Sequence, residues 1–292
     1  MSYNFCSDGT LKIVLSIRFF QRLIVLKRSV LILIFGAFSF SQVFADEDTT
    51  AGIQEYRDLL DDVNPAELWI FSGEELWYRK AGPKNASLET CDLGKGPGVT
   101  VGAYVELPRF FFDAQKVMDL EQRLIYCRTL IQGFSRADVI SYPFTKRGQE
   151  TSEIEMLVAY IASESRGLRM NIPLMRIEEK RVYELGRQFF HLRAGSHDFG
   201  CITCHSGDNQ RIRLQELPNF RNKDEASKSY GSWPAYRVSA GEVRTMQHRL
   251  YDCLRQQRFP EPIYGSDLMT ALIMFLAKSA DGGLYEAPGI KR

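Results

Sequence analysis

The sequence predicts a mainly α-helical protein that consists of two repeated halves. In the segment from Asp267 to Ala280, apolar residues recur every three or four positions, which is the pattern of a buried helix face. A second observation is an internal repeat, in which Gly73 precedes Cys91 by the same number of residues as Gly186 precedes Cys204. The chain of 292 residues is long enough for about two domains, so each half can form one.

The composition excludes several classes of protein. With 45% hydrophobic and 25% charged residues, the chain can bury an apolar core, which argues against a disordered protein. The 37 Lys and Arg residues are balanced by 36 Asp and Glu residues, for a formal net charge of +1. Because nucleic-acid-binding proteins carry strongly basic surfaces, we expect no nucleic-acid partner.

The first 45 residues have the features of a leader for export. A basic pair, Lys27 and Arg28, precedes an apolar run from Val30 to Phe40, and small residues precede a cleavage position after Ala45. The apolar run is too short to span a bilayer comfortably, so an uncleaved anchor is the weaker alternative. We predict a signal peptide over residues 1–45, a periplasmic mature protein and no stable membrane anchor.

The cysteines indicate the chemistry. Residues 201–205 read Cys-Ile-Thr-Cys-His, the pattern in which two thiols attach haem and the adjacent histidine ligates its iron. A redox-active disulfide pair followed by a chance histidine is the alternative, but no βαβ pattern surrounds the motif. We therefore predict one covalently bound haem c, held by Cys201, Cys204 and His205. Without the leader, an odd number of cysteines remains for an oxidising compartment: Cys91, Cys127, Cys201, Cys204 and Cys253.

The segments on either side of this motif resemble class I c-type cytochromes. A predicted helix from Glu178 to Arg193 contains Gly186 and Phe190 ahead of the motif, and the apolar Asp267–Ala280 helix follows it. The resemblance implies that the two helices cross, and the small Gly186 would permit a close crossing. We therefore expect a haem-binding cytochrome c domain over residues 171–292.

Residues 46–170 repeat this layout. Arg123 and Cys127 have the same spacing as Arg249 and Cys253, and the segment 157–167 repeats the closing segment 272–282. Between the halves, residues 168–176 follow a predicted helix end and contain a proline, which favours a boundary there.

The first half lacks the residues that bind haem. Leu88 stands at the position of Cys201, and Asp92 stands at the position of His205. Both covalent attachment and axial ligation are therefore lost. The prediction is a tandem of duplicated class I cytochrome c domains, of which the first carries no haem.

Two cysteines of the first half then have no haem to hold. If the halves share a fold, Cys91 and Cys127 both lie beside the vacated haem site, so a disulfide between them is plausible. Such a closure stabilises a protein by about 2–4 kcal/mol. Two free buried cysteines are the alternative.

Three residues could supply the second axial ligand in the second half: Met246, His248 and Cys253. The capping-box spacing of Ser239–Glu242 predicts a helix that runs to about Arg258. Met246 and Cys253 lie near one face of this helix, whereas His248 is off that face and is expected to be exposed. Cys253 is favoured because it is the odd thiol, and methionine stays open as the ligand of an ordinary electron carrier.

With these features, the chain resembles the SoxA family, the catalytic cytochrome subunits of thiosulfate-oxidising complexes. The resemblance covers nearly all of the mature chain and is carried by the doubled plan, the C-x-x-C-H motif and the segments 233–237 (Trp-Pro-Ala-Tyr-Arg) and 249–258 (Arg-Leu-Tyr-Asp-Cys-Leu-Arg-Gln-Gln-Arg). The chain departs from the two-haem members at Leu88 and Asp92. It therefore resembles a single-haem branch in which a disulfide replaces the first haem.

The resemblance implies a role for each matched residue. Cys201 and Cys204 would attach haem, and His205 would be the proximal ligand. Cys253 would be the distal ligand, modified to a persulfide during turnover, and Arg249 would bind the anionic substrate. The implied reaction joins thiosulfate to a cysteine of a SoxY-type carrier protein, with electrons passing through haem to a SoxX-type cytochrome partner, an L-cysteine S-thiosulfotransferase activity.

The residue chemistry is compatible with this function. Arg249 lies one helical turn before Cys253, so its charged fork could bind the sulfonate oxygens of thiosulfate. A partner for a haem propionate is the alternative role, and Arg237 and Arg258 are weaker candidates for anion binding. Three other functions stay open: an electron carrier with His205/Met246 ligation, an enzyme that couples two thiosulfates to tetrathionate, and a structural subunit.

Overall fold

The fold, seen in a computed structural model, is mainly α-helical, as predicted. The described residues are 51–291 except 53–54, 57–58, 60–62, 147–149 and 213–214. The helices are α1 (Glu67–Tyr78), α2 (Leu120–Cys127), α3 (Arg136–Val139), α4 (Glu153–Ser163), α5 (Ile177–His191), α6 (Cys201–His205), α7 (Lys223–Tyr230), α8 (Met246–Gln256) and α9 (Asp267–Ser279). Short 3₁₀ and π segments cover Tyr104–Glu106 and Arg128–Gln132.

Short strands form three small sheets between the helices. The strands are β1 (Arg109–Phe111), β2 (Lys116–Met118), β3 (Arg211–Ile212), β4 (Gln215–Glu216), β5 (Ala235–Arg237), β6 (Glu242–Arg244) and β7 (Gly289–Lys291). Antiparallel hairpins join β1 to β2, β3 to β4 and β5 to β6, and β7 pairs with β5 in parallel. In the β5–β6 hairpin, Ala235 lies opposite Arg244 and Arg237 lies opposite Glu242.

Two helix pairs cross at a glycine. In the α5–α9 pair, a Cβ atom on Gly186 would overlap with the carbonyl oxygen of Ala271. In the α1–α4 pair, a Cβ atom on Gly73 would overlap with the carbonyl oxygen of Met156 in the same way. Any side chain at these positions would therefore push the helices apart. The close crossing predicted at Gly186 is confirmed.

The two segments share an order of core elements, to which the second adds the β3–β4 hairpin and α7, and the first adds α3. Each segment runs from a glycine-crossed helix to a cysteine, then to a short antiparallel hairpin, a helix with an arginine four residues before a cysteine, and a closing helix. All of these elements lie in one compact unit, Arg57–Arg292, with a continuous apolar core. The division at residue 170 stays a prediction.

The start of α8 differs from the predicted one. The predicted capping box at Ser239–Glu242 is wrong, because these residues form the hairpin turn and the first residue of β6. Gly241 has a φ of 74°, and its N–H donates to the carbonyl of Arg237. The helix begins at Met246, and Thr245 caps it by accepting the N–H of His248 at 3.2 Å.

The predicted leader, residues 1–45, lies outside the described residues. Across the part of the chain that is described, no helix is both long enough and apolar enough to cross a membrane.

Candidate active site

Helix α6 carries the motif Cys201-Ile-Thr-Cys204-His205 and presents its reactive atoms on one short turn. The hydroxyl of Thr203 accepts the N–H of Gly200 at 3.1 Å, which closes this turn. Both cysteines are free thiols and are partly buried. The Nδ1 of His205 lies 2.9 Å from the carbonyl oxygen of Pro218, so Nδ1 donates and the Nε2 lone pair is available to a metal.

Burial keeps these three groups in their neutral forms. Burial, and after it the nearby thiol of Cys253, raises the pKa of Cys201 to about 12. The pKa of Cys204 is raised for the same two reasons. Burial also lowers the pKa of His205, and the charge of Arg249 adds to this effect. A neutral imidazole is the form that ligates iron.

Helix α8 brings Cys253 and Arg249 to the motif. Cys253 is a free, partly buried thiol near enough to both motif cysteines to interact with them electrostatically. The donor set therefore combines two thiols, one free imidazole nitrogen and a third sulfur, which fits a covalently attached haem with two axial ligands. No group of three or more His, Cys, Asp or Glu side chains that could hold a bare metal ion occurs among the described residues.

The other two candidates for the second axial ligand lie elsewhere. Met246 is buried two helical turns before Cys253 and lines a small internal cavity with Asp119 and Glu121. His248 is buried, so the prediction of an exposed histidine is wrong. Its Nδ1 lies 2.6 Å from Oε1 of Glu155, which α4 of the first half contributes.

Three arginines surround the Cys253 region. Arg244 is neutralised by Glu242, with 2.8 Å between their charged atoms, and by Asp252. The pKa of Arg237 is lowered to about 10, first by burial and then by the charges of Arg249 and Arg244. The side chains of Arg237 and Arg249 make no hydrogen bond and no ion pair to any described residue, although the charge of Asp252 acts on Arg237. Two cations without an ion-pair partner beside a thiol have the chemistry that binds an anion.

Arg258 does not join this group. It lies beyond the end of α8, is exposed, and has a left-handed φ of 59°. Its backbone carbonyl lies close to Gly195 instead.

In the first half, the corresponding cysteines form the expected disulfide. The Sγ atoms of Cys91 and Cys127 are 2.02 Å apart, and both residues are buried. Leu88 is packed in the core, and the Asp92 carboxylate accepts the N–H groups of Gly94 and Gly96 at 2.6 and 2.9 Å. The positions that match Cys201 and His205 therefore serve core packing and loop closure.

Arg123 of α2 occupies the position that corresponds to Arg249 of α8, but its surroundings differ. Arg123 is buried, pairs with the Asp113 carboxylate at 2.8 Å, and stacks on the ring of Phe111 with 4.2 Å from its Cζ to the ring centre. Phe111 is the third residue of β1, and the third residue of β5 is Arg237. Asp113 lies two residues after β1, and a serine lies two residues after β5. The second half thus loses the carboxylate and gains a cation.

The sequence interpretation missed the ion pairs of Arg244 and the bond between His248 and Glu155. The first depends on the β5–β6 hairpin, whose second strand lay within the predicted helix. The second joins residues 93 positions apart, and no local pattern indicates it.

Comparisons with known proteins agree with this architecture. Residues 72–170 match the family model described as SoxA/TsdA, cytochrome c domain. The L-cysteine S-thiosulfotransferase subunit SoxA of Hydrogenophilus thermoluteolus is 50% identical over 251 residues, which cover 85% of this chain and 91% of the relative. A subunit of the same name from Hydrogenobacter thermophilus is 28% identical over 88% of this chain and 95% of its own length.

A solved structure shares the fold. The crystal structure of SoxXA from P. pantotrophus superposes with a TM-score of 0.66 at 23% identity, over 82% of this chain and 84% of the solved chain. With half of its residues shared with a SoxA subunit over nearly the whole length of both proteins, this chain belongs to the family of L-cysteine S-thiosulfotransferase SoxA subunits.

Proposed function

We propose that this protein joins thiosulfate oxidatively to a cysteine of a SoxY-type carrier protein. One observation carries the proposal: Cys253, a thiol without a disulfide partner, lies near the C-x-x-C-H turn, beside two arginines whose side chains make no ion pair with the described residues. A plain electron carrier needs no anion site at its ligand sulfur, whereas a reaction of thiosulfate at that sulfur does.

The reaction balances as a two-electron oxidation. The carrier thiolate and the thiosulfate dianion combine to a carrier S-thiosulfonate, with one new sulfur–sulfur bond and two electrons released. Attack on sulfur requires a thiolate-type nucleophile, which the proposed persulfide on Cys253 supplies. When bound, haem c accepts the electrons one at a time and passes them on to a redox partner.

The chain's own residues bind and orient the substrate. Arg249 and Arg237 hold the sulfonate oxygens of thiosulfate by charge-assisted hydrogen bonds, which places the outer sulfur at Cys253. Arg244 and Asp252 neutralise one another, so Arg244 is left out of substrate binding. His205 would hold the haem iron through Nε2, because its Nδ1 is committed to the carbonyl of Pro218.

One haem c per chain is proposed, attached at Cys201 and Cys204. The buried Cys91–Cys127 disulfide, the packed Leu88 and the loop-closing Asp92 support a first half without haem. The repeated order of elements and the paired glycine crossings support a tandem duplication.

The proposed partners follow from family membership. A SoxX-type cytochrome would accept the electrons in a heterodimer, a SoxY-type protein would deliver the cysteine, and all would work in the periplasm after cleavage near Ala45. The superposed crystal structure is that of SoxXA, which supports the first partner.

The test is conjugation by the purified holoprotein, followed by intact mass. With thiosulfate, a SoxY-type carrier and an electron acceptor, we expect the carrier to gain a thiosulfonate group. Cys253→Ser should retain haem and abolish conjugation, and it should lose any added sulfur atom found on the wild type. Conjugation at the wild-type rate by Cys253→Ser would refute the proposal, as would tetrathionate formed without the carrier.

A spectrum of the oxidised protein tests the ligand. A methionine–iron charge-transfer band near the red end would indicate the electron carrier with His205/Met246 ligation. A thiolate-type EPR spectrum is the expected result.

A further inference from the structure

The first turn of α8 is attached to the first half of the molecule by side chains. Met246, Gln247 and His248 are all buried, and the side chains of the last two make hydrogen bonds away from their own helix. The same helix carries Arg249 and Cys253 in its next two turns. The contacts of this first turn therefore decide how α8 is rotated and placed.

His248 is held from several sides. Its Nδ1 lies 2.6 Å from Oε1 of Glu155, and Glu155 is fully buried on α4. The other carboxylate oxygen of Glu155 accepts the N–H of Thr145 at 2.7 Å, which orients the carboxylate. The ring of Phe144 stacks on the imidazole, with 4.3 Å between the ring centres. The imidazole therefore has one available orientation.

Gln247 provides a second attachment. Its Nε2 donates to Oδ2 of Asp119 at 2.8 Å, and its backbone N–H donates to Oε1 of Glu121 at 3.3 Å. Its Oε1 accepts the N–H of Gly265 at 2.9 Å. Asp119 is the cap of α2, so the corresponding helix of the first half receives this contact.

We infer that His248 and Glu155 form a positioning pair for Arg249 and Cys253, so that the first half, proposed above to lack haem, sets the geometry of the substrate site. Arg249 directly follows His248, and a rotation of α8 would move its guanidinium relative to α6. This inference rests on the proposed function, because that function gives Arg249 and Cys253 their roles. Misplacement of a reacting group by about 1 Å can lower a rate by roughly 100-fold.

Three variants of His248 separate positioning from stability. His248→Asn keeps a donor at the place of Nδ1, His248→Gln places its amide at the position of Nε2, and His248→Phe keeps the stacking on Phe144 without the bond. We expect roughly 10- to 100-fold lower kcat/KM for thiosulfate in the Phe and Gln variants, mostly through KM. The Asn variant should stay within about threefold of the wild type.

A matched control removes a buried hydrogen bond elsewhere. The hydroxyl of Tyr285 donates to the carbonyl of Trp233 at 3.0 Å, and Tyr285 is fully buried. Tyr285→Phe should lower the denaturation midpoint and leave KM unchanged. The low-temperature EPR spectrum of the oxidised holoprotein gives a readout that needs no turnover, and it should change in the Phe and Gln variants only.

The outcomes are distinct. If the Phe and Gln variants lose stability as Tyr285→Phe does, with KM and EPR spectrum unchanged, the pair is structural and the inference is overturned. If His248→Phe does not fold, the comparison of the Gln and Asn variants decides in the same way. If the wild type conjugates no thiosulfate but the EPR spectrum changes, the proposed function fails and the positioning pair stands.

Discussion

Arg249 differs from Arg123, its counterpart in the first half, in the side chains around it. Arg123 is neutralised by Asp113 and stacked on Phe111, whereas Arg237 and Arg249 face each other's charge. Two buried or half-buried cations in proximity repel, and a bound dianion relieves that repulsion. The difference in two neighbouring side chains thus leaves Arg249 without the ion pair that Arg123 has, as the proposed role in substrate binding requires.

Replacement of these arginines tests the anion site. We predict that Arg237→Gln and Arg249→Gln each raise KM for thiosulfate by about 10-fold or more, because each removes a charge-assisted hydrogen bond of about 1.5–3 kcal/mol. Arg258→Gln, at the exposed end of α8, is the matched control and should bind thiosulfate like the wild type. Equal KM values for all three variants would contradict an anion site formed by Arg237 and Arg249.

At the scale of elements, the crossed helix pairs hold the site in place. Helix α5 precedes the C-x-x-C-H motif of α6 and crosses α9 at Gly186. The distance between α5 and α9 therefore affects where α6 is placed. The α1–α4 pair crosses at Gly73 in the same manner. Both crossings depend on the absence of a side chain.

A single methyl group at a crossing should therefore be poorly tolerated. We predict that Gly186→Ala and Gly73→Ala each lower the free energy of unfolding by about 1–3 kcal/mol or more, since a Cβ atom would overlap with a backbone carbonyl that cannot move aside. Chemical denaturation measures the effect. Gly167→Ala is unsuitable as a control because its φ is 82°, whereas Gly52→Ala meets nothing within 4 Å and should be neutral.

The whole molecule is held together by a buried polar junction between its halves. Asp119 and Glu121 from the first half meet Gln247, Tyr264 and Thr270 from the second. Burial and the charge of Asp119 raise the pKa of Glu121 to about 8. The junction is therefore most stable when Glu121 is protonated.

The sign of the pH dependence follows from this raised pKa. In the unfolded chain Glu121 titrates near 4.5, so its stabilising contribution is complete below that pH and is lost as the pH rises through about 8. We predict that the free energy of unfolding falls as the pH rises from about 5 to about 8, which is the interval between the two pKa values of Glu121. Glu121→Gln should flatten this fall, and the exposed Glu150→Gln should not. An unchanged slope in Glu121→Gln would contradict the assignment.

The disulfide acts on the first half as a whole. Cys91 and Cys127 are 36 positions apart, and their bond closes that segment over the core. We predict that Cys91→Ala/Cys127→Ala lowers the free energy of unfolding by about 2–5 kcal/mol, because the unfolded chain regains loop freedom. Haem content, measured by absorbance, should be unchanged in the variant that folds. Loss of haem from the folded variant would tie the disulfide to the second half instead.

The sequence by itself determined the chemistry that depends on short spacings. The C-x-x-C-H motif, the glycine of the helix crossing and the closing helix could be predicted, because motif spacing and helix periodicity are local properties of the chain. The pairing of Cys91 with Cys127 could be predicted from the internal repeat. The tertiary structure alone decided the burial of His248, the start of α8 at Met246 and the absence of an ion pair from the Arg237 side chain to any described residue. The surroundings of His248 include Glu155, 93 positions away, and the start of α8 depends on the pairing of β5 with β6, so no local pattern records these contacts.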